Sequence, residues 1–163
     1  MLHETDIKAK DATVTFDYAE TLKLESDGSE IDIDVVNELD IDSNKDDLEI
    51  NTTNNVFGKS KYSKLVFNTV ISKVNLNLNL AELRVLKLST ASPIVNVHQR
   101  SSEVYINISN TNFNFNAELE QGVLRIPKTM KNITSKVLDE KNKIRQIRAT
   151  YGNLNTGIFD ITG

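Results

Sequence analysis

Val74-Asn75-Leu76-Asn77-Leu78-Asn79-Leu80 alternates aliphatic and amide side chains without a break. In an extended chain successive side chains point to opposite faces, so this run is a strand with one dry face and one wet face. The same alternation recurs in both directions. Upstream lie Thr13-Val14-Thr15-Phe16, Leu22-Lys23-Leu24-Glu25, Ile31-Asp32-Ile33-Asp34-Val35, Leu39-Asp40-Ile41-Asp42, Leu48-Glu49-Ile50-Asn51 and Leu65-Val66-Phe67. Downstream come 83–88, Ile94-Val95-Asn96-Val97, Val104-Tyr105-Ile106-Asn107-Ile108, Phe113-Asn114-Phe115-Asn116, Val123-Leu124-Arg125-Ile126, 144–149 and Ile158-Phe159-Asp160-Ile161.

The first apolar residues fall at 22, 31, 39 and 48, then at 74, 83, 94, 104, 113 and 123, in steps of 8 to 11 residues. Short strands at such spacing suit either a sandwich or a solenoid. Turn chemistry separates the two. Tight hairpins call for Asn-Gly, Asp-Gly or Gly-Gly, and the chain offers only Asp27-Gly28 and the Tyr151-Gly152-Asn153 region. Six Gly and two Pro are few for a meander. Asn44, Asn54, Asn55 and Asn110 stand between strands and tolerate the left-handed conformation. The expectation is an all-β chain, a β-solenoid or β-helix of short stacked strands in one domain over 1–163, with an antiparallel β-sandwich as the alternative. Two strands per coil give about 18–20 residues per rung, and eight rungs make a rod of about 38 Å.

Two stretches depart from the alternation. Residues 60–70 place Tyr62, Leu65, Val66, Thr69 and Val70 where they could share a helical face. Residues 129–142 are mostly polar and read as a loop or short helix that interrupts the repeat.

The absence of Cys removes disulfides, thiolate metal sites and cysteine nucleophiles. No run approaches the ~18 apolar residues of a membrane-spanning helix, and 1–6 has neither a basic nor an apolar leader region. Charge is segregated along the chain. Residues 1–51 hold 16 Asp and Glu against 4 Lys, while the remainder holds 15 Lys and Arg against 7 acids. Strands stacked in chain order therefore give one acidic and one basic end.

Asp32, Asp34, Asp40 and Asp42 alternate with aliphatic residues and form a candidate acidic binding face, with oxygen ligands of the kind calcium prefers. The Gly-rich nonapeptides of calcium-binding solenoids are missing, so a solvated strand face is the plainer reading. Arg125, Lys128, Lys131, Arg145 and Arg148 form a candidate basic patch, joined by Lys136, Lys141 and Lys143. Such a patch suits phosphate-rich glycans or lipid head groups, although a solvated surface is the plainer reading. Nucleic acid is not expected as a partner, since aromatic stacking platforms are missing. Asn75, Asn77 and Asn79 are either a solvated face or an amide ladder between rungs. His3 and His98 are read as surface or structural residues. No nucleophile elbow, phosphate loop, dinucleotide fingerprint or zinc motif occurs. No catalytic residue, cofactor or metal is expected, and a carbohydrate-active enzyme is the least favoured reading.

The serial strands Leu22-Lys23-Leu24-Glu25-Ser26-Asp27-Gly28-Ser29-Glu30-Ile31-Asp32-Ile33 and Leu39-Asp40-Ile41-Asp42-Ser43, with the closing segment 149–163, resemble the bacterial adhesin-like domain family of unknown function, a set of β-solenoid-like cell-envelope proteins. The chain departs from that pattern: Ser-Gly-Asp steps are missing and Asn stands where Gly is common. The resemblance implies an extracytoplasmic location, in the cell envelope or secreted, and a non-catalytic binding or structural role. A sensory or regulatory ectodomain in envelope-stress signalling is the alternative. The partners expected are an envelope glycan or a protein, or a cationic peptide bound through the acidic residues 1–51. Edge strands and opposed charges add head-to-tail self-association.

Overall fold

The computed structural model describes residues 4–120, 122–153 and 156–163. Its organising fact is a register of 17. Thr13 lies beside Glu30, Glu30 beside Asp47 and Asp47 beside Lys64, each pair parallel. Seventeen extended residues would span about 56 Å, yet the chain returns to the adjacent rung, so each coil must bend back on itself. The chain is a parallel β-solenoid. The coil length is 17 residues at first, shorter than the 18–20 inferred above.

Four long strands build the body: β2 (Thr13–Asp27), β3 (Glu30–Asn44), β4 (Asp47–Lys61) and β5 (Lys64–Asn79). Each bends around a wide corner; β2, β3 and β5 join two of the short alternating runs, and β4 joins Leu48-Glu49-Ile50-Asn51 to a second half that the alternation did not mark. In β3 the core takes Ile31 and Ile33 before the bend, Val36 at it, and Leu39 and Ile41 after it. The two halves thus form opposite walls around one narrow interior. The first wall continues into β6 (Glu82–Val85) and β8 (Glu103–Ile106). The second begins with β1 (Glu4–Lys10) beside β2 and continues past β5 into β7 (Ile94–Arg100).

The return corner between coils uses one residue with positive φ each time: Asp11, Gly28, Lys45, Tyr62, Leu80 and Ser101, at φ values from 48° to 65°. The stacking bonds run straight through this corner, for example from the Gly28 amide to the Asn44 carbonyl at 2.9 Å and from the Lys45 amide to the Lys61 carbonyl at 2.9 Å. An L-residue in this conformation costs about 1–2 kcal/mol, and the unbroken ladder offsets it. Of the four asparagines expected to bend left-handed, only Asn110 does so.

Inside the corner sits Asp46, only 4% exposed. Its carboxylate accepts hydrogen bonds from the Ser26 and Ser43 hydroxyls, both at 2.6 Å, and from the Ser29 and Asn44 amides at 2.8 and 3.0 Å. Its own amide donates to Ser63 Oγ at 3.0 Å. This network joins three successive coils.

Three expectations are corrected. Residues 60–70 carry no helix: Tyr62 turns the corner and β5 starts at Lys64, burying Leu65 and Val70 and turning Val66 outward. Residues 129–142 supply strand β10 (Lys131–Asp139), not a loop or helix, although they do end the repeat. Val123-Leu124-Arg125-Ile126 is irregular; Leu124 and Ile126 nevertheless pack against the core.

The far end leaves the coil pattern. β9 (Phe113–Glu120) pairs antiparallel with β11 (Ile144–Tyr151), and β11 antiparallel with β10. The last strand, β12 (Gly157–Thr162), slots between β7 and β9, parallel to both. The second wall therefore runs β1-β2-β3-β4-β5-β7-β12-β9-β11-β10, and nine spacings of about 4.8 Å make it roughly 43 Å long. The seam is fixed by aromatics: Phe113 stacks on Phe159 at 3.9 Å and on Tyr151 at 5.4 Å between ring centres.

Candidate binding surface

Parallel stacking at a fixed register turns sequence spacing into columns. On the outer side of the second wall one row reads Asn75, Asn96, Asp160, Asn116 across β5, β7, β12 and β9. The neighbouring row reads Lys59, Asn77, His98, Thr162, Glu118, and a third reads Lys61, Asn79, Arg100. Rows two residues apart and rungs about 4.8 Å apart make a flat grid of amides, hydroxyls and charges.

Two shallow grooves lie on this grid. The first, about 560 Å³, is lined by Asp42, Asn44, Lys59, Lys61, His98 and Arg100 among others. The second, about 430 Å³, is lined by Asn116, Asn132, Arg148, Thr150, Ile158 and Asp160 among others. His98 Nδ1 lies 2.8 Å from Thr162 Oγ1, and the Asn116 amide donates to Asp160 at 2.8 Å. Such contacts hold the side chains still against the wall.

The four carboxylates of the expected acidic face do not share one side. All four belong to β3, but Asp32 and Asp34 precede the wide corner and Asp40 and Asp42 follow it, so they point outward from opposite walls. The register explains the split: eight residues span half a coil. Each is also differently occupied. Asp34 accepts from the Asn51 amide at 2.7 Å, and Asp42 pairs with Lys59 at 2.9 Å. Asp40 sits between Lys23 and Phe57, and Asp32 between Thr15 and Glu49. Among the described residues no group of three acidic or histidine side chains converges as a metal site.

Amides handle much of the remaining negative charge. Asn44 donates to Asp27 at 2.7 Å, Asn51 to Asp34 at 2.7 Å and Asn55 to Glu38 at 2.6 Å, each to the carboxylate 17 residues earlier. An amide over an acid replaces like-charge repulsion with a hydrogen bond. Asn75, Asn77 and Asn79 form no continuous amide ladder. Asn77 lies between Lys59 and His98, and Asn79 between Lys61 and Arg100.

Ion pairs also span rungs. The Glu25 carboxyl is held below the usual carboxylate range by its hydrogen bond and charge contact with Lys8, whose ammonium is raised in turn. Asp42 raises Lys59 in the same way.

The basic patch is split as well. Lys131 lies on β10, Arg145 and Arg148 on β11, and Arg125 and Lys128 on the irregular segment before β10, all exposed. Arg148 pairs across from Asn116 on the outer side, whereas Arg145 pairs across from core-facing Leu119. Arg148 joins the grid, and Lys131, across from Thr150, lies at its edge on the same side. Spacing alone could not show which wall each strand occupies, so the grid itself was missed. The available signal was the repeat of 17 in Leu22, Leu39 and Val56, and in Ile31, Leu48 and Leu65.

No described helix is long and apolar enough to cross a membrane, a statement that does not bear on β-barrels. Comparison with known protein families, curated proteins and solved structures gave no match.

Proposed function

We propose that this chain is a non-catalytic, extracytoplasmic binding and structural domain of adhesin-like character, and that it presents its second wall to an envelope glycan. The observation that carries this reading is the flat grid of Asn75, Asn77, Asn79, Asn96, His98, Arg100 and Arg148. Amides and cations at regular spacing offer donors to the hydroxyl and acidic groups of an extended polymer, and a rigid wall binds without an ordering cost. The test is retention of purified envelope glycans by the immobilised chain. Wild type should retain one class of acidic or N-acetylated polymer. Arg100→Glu with Asn77→Asp, both on the wet side and harmless to the fold, should abolish retention. Failure of wild type to retain any such polymer overturns the reading.

A second reading rests on residues 4–51, where outward carboxylates including Asp32 and Asp40 dominate. They suit a cationic peptide in a sensory ectodomain. Its test is polylysine binding at low ionic strength, which should fade steeply with salt. No binding at low salt removes it.

A further inference from the structure

Among the described residues both ends of the second wall are unpaired: β1 pairs only with β2, and β10 only with β11. Every residue of β10 from 131 to 138 is exposed, including Ile133 at 51%, Val137 at 48% and Leu138 at 43%. Val137 lies across from Arg145, on the side of the sheet that faces the interior. At the other end Ile7 is half-buried against the core, and Thr5 Oγ1 is buried without a partner. Each end is a core cut across.

The strand directions match. Two antiparallel steps, β9 to β11 and β11 to β10, return β10 to the direction of β9. Every other step back to β1 is parallel. A second copy placed further along the rod axis would thus lay its β1 beside β10 as one more parallel pair. The charges are opposed on the scale of the coils: residues 131–151 carry six Lys and Arg against two acids, while residues 1–51 carry 16 acids against four Lys, although β1 itself balances Glu4 and Asp6 with Lys8 and Lys10.

We infer that the partner of each open edge is the opposite edge of a second copy: β10 of one molecule pairs with β1 of the next, in a head-to-tail contact that repeats along the axis. The two surfaces differ, so the contact is heterologous and does not close on itself. Backbone bonds supply the pairing, Val137 and Ile7 extend the apolar interior across the joint, and opposite charge selects end against end. This contact is independent of what the wall binds.

The experiment is sedimentation velocity on the full chain over a wide concentration range. At low salt the sedimentation coefficient should climb with concentration and pass the dimer without a plateau. High salt should return it toward monomer. The double variant Ile133→Lys, Val137→Lys alters only exposed residues, should keep the wild-type circular dichroism, and should grow no longer than a monomer. Ile7→Lys blocks the other end. Each blocked variant keeps one good edge, so an equimolar mixture should form dimers that do not grow. Three results overturn the inference: a monomer at all concentrations in low salt, a closed dimer from β10 against β10, or undiminished growth of the β10 double variant. Should Ile7→Lys fail to fold, the β10 variant alone decides.

Discussion

Asp46 shows how one residue fixes the return corner. A buried carboxylate is tolerated when hydrogen bonds replace its water, and here two hydroxyls and two amides do so. Asp46→Ala would strand the donors of Ser26, Ser29, Ser43 and Asn44 on two coils, and we expect a loss of about 3 kcal/mol in chemical denaturation. Leu80 is the converse case. It holds φ 52° with its side chain half out in water. Leu80→Gly removes the steric cost but loosens the unfolded chain, and the net gain we expect is about 0.5 kcal/mol. The surface carboxylates set a mild pH dependence. Glu25 is depressed by Lys8, and Asp139 by the Asn142 amide. Over the acid range the unfolded state therefore binds more protons than the folded one at these sites, and stability rises with pH. Their contribution is complete above the ordinary carboxylate range and lost as pH falls through the depressed values. Both groups lie at the surface in partial contact with solvent, so Glu25→Gln should only slightly flatten the acid limb of Tm against pH.

At the scale of the element, Gly58 lies within β4 where the neighbouring coils place Ile41 and Leu76. Its φ is 120°, and a Cβ there would stand 2.0 Å from the Ile41 carbonyl oxygen. Gly58→Ala should cost about 2 kcal/mol or more, seen as a lower denaturation midpoint with an unchanged slope. Phe113 has no exposure and stacks on two rings; Phe113→Ala should cost about 3–5 kcal/mol. Alternation made the short strands legible, because burial of one face leaves a period of two in the sequence. Joining two such runs into one bent strand was not legible. The bend at 34–38 contains no Gly or Pro, and its Asp34 and Asn37 look no different in sequence from the acids and amides that line the straight wet faces. The hairpin of β10 and β11 was half legible: 144–149 alternates, whereas β10 is exposed along almost its whole length and leaves no burial pattern to read.

For the whole molecule the solenoid was legible and its ending was not. Regular spacing and scarce hairpin glycines pointed to stacked coils, and the charge segregation became an acidic and a basic end because the rungs do follow chain order as far as β7. The candidate surface was poorly legible for the same reason. Which residues neighbour one another depends on the coil length, and an error of one residue moves every column. Salt should act at this scale too. Repulsion among the outward acids of the first coils is only partly relieved by amides and by Lys8, Lys59 and Lys64. We therefore expect added monovalent salt to raise Tm, with the largest gain in amide-exchange protection in β2 and β3.

The place of β12 carries a consequence for how the molecule is made. As the chain leaves the ribosome, β1 to β5 can wind rung on rung, each coil laid on the one before. β7 and β9 appear next, but the strand that belongs between them is synthesised some forty residues later. The slot must stay vacant, or be filled provisionally by β7 meeting β9 directly, until Gly157–Thr162 emerges and inserts. Winding is thus progressive at one end and retrospective at the other, and closure of the wall waits on β12.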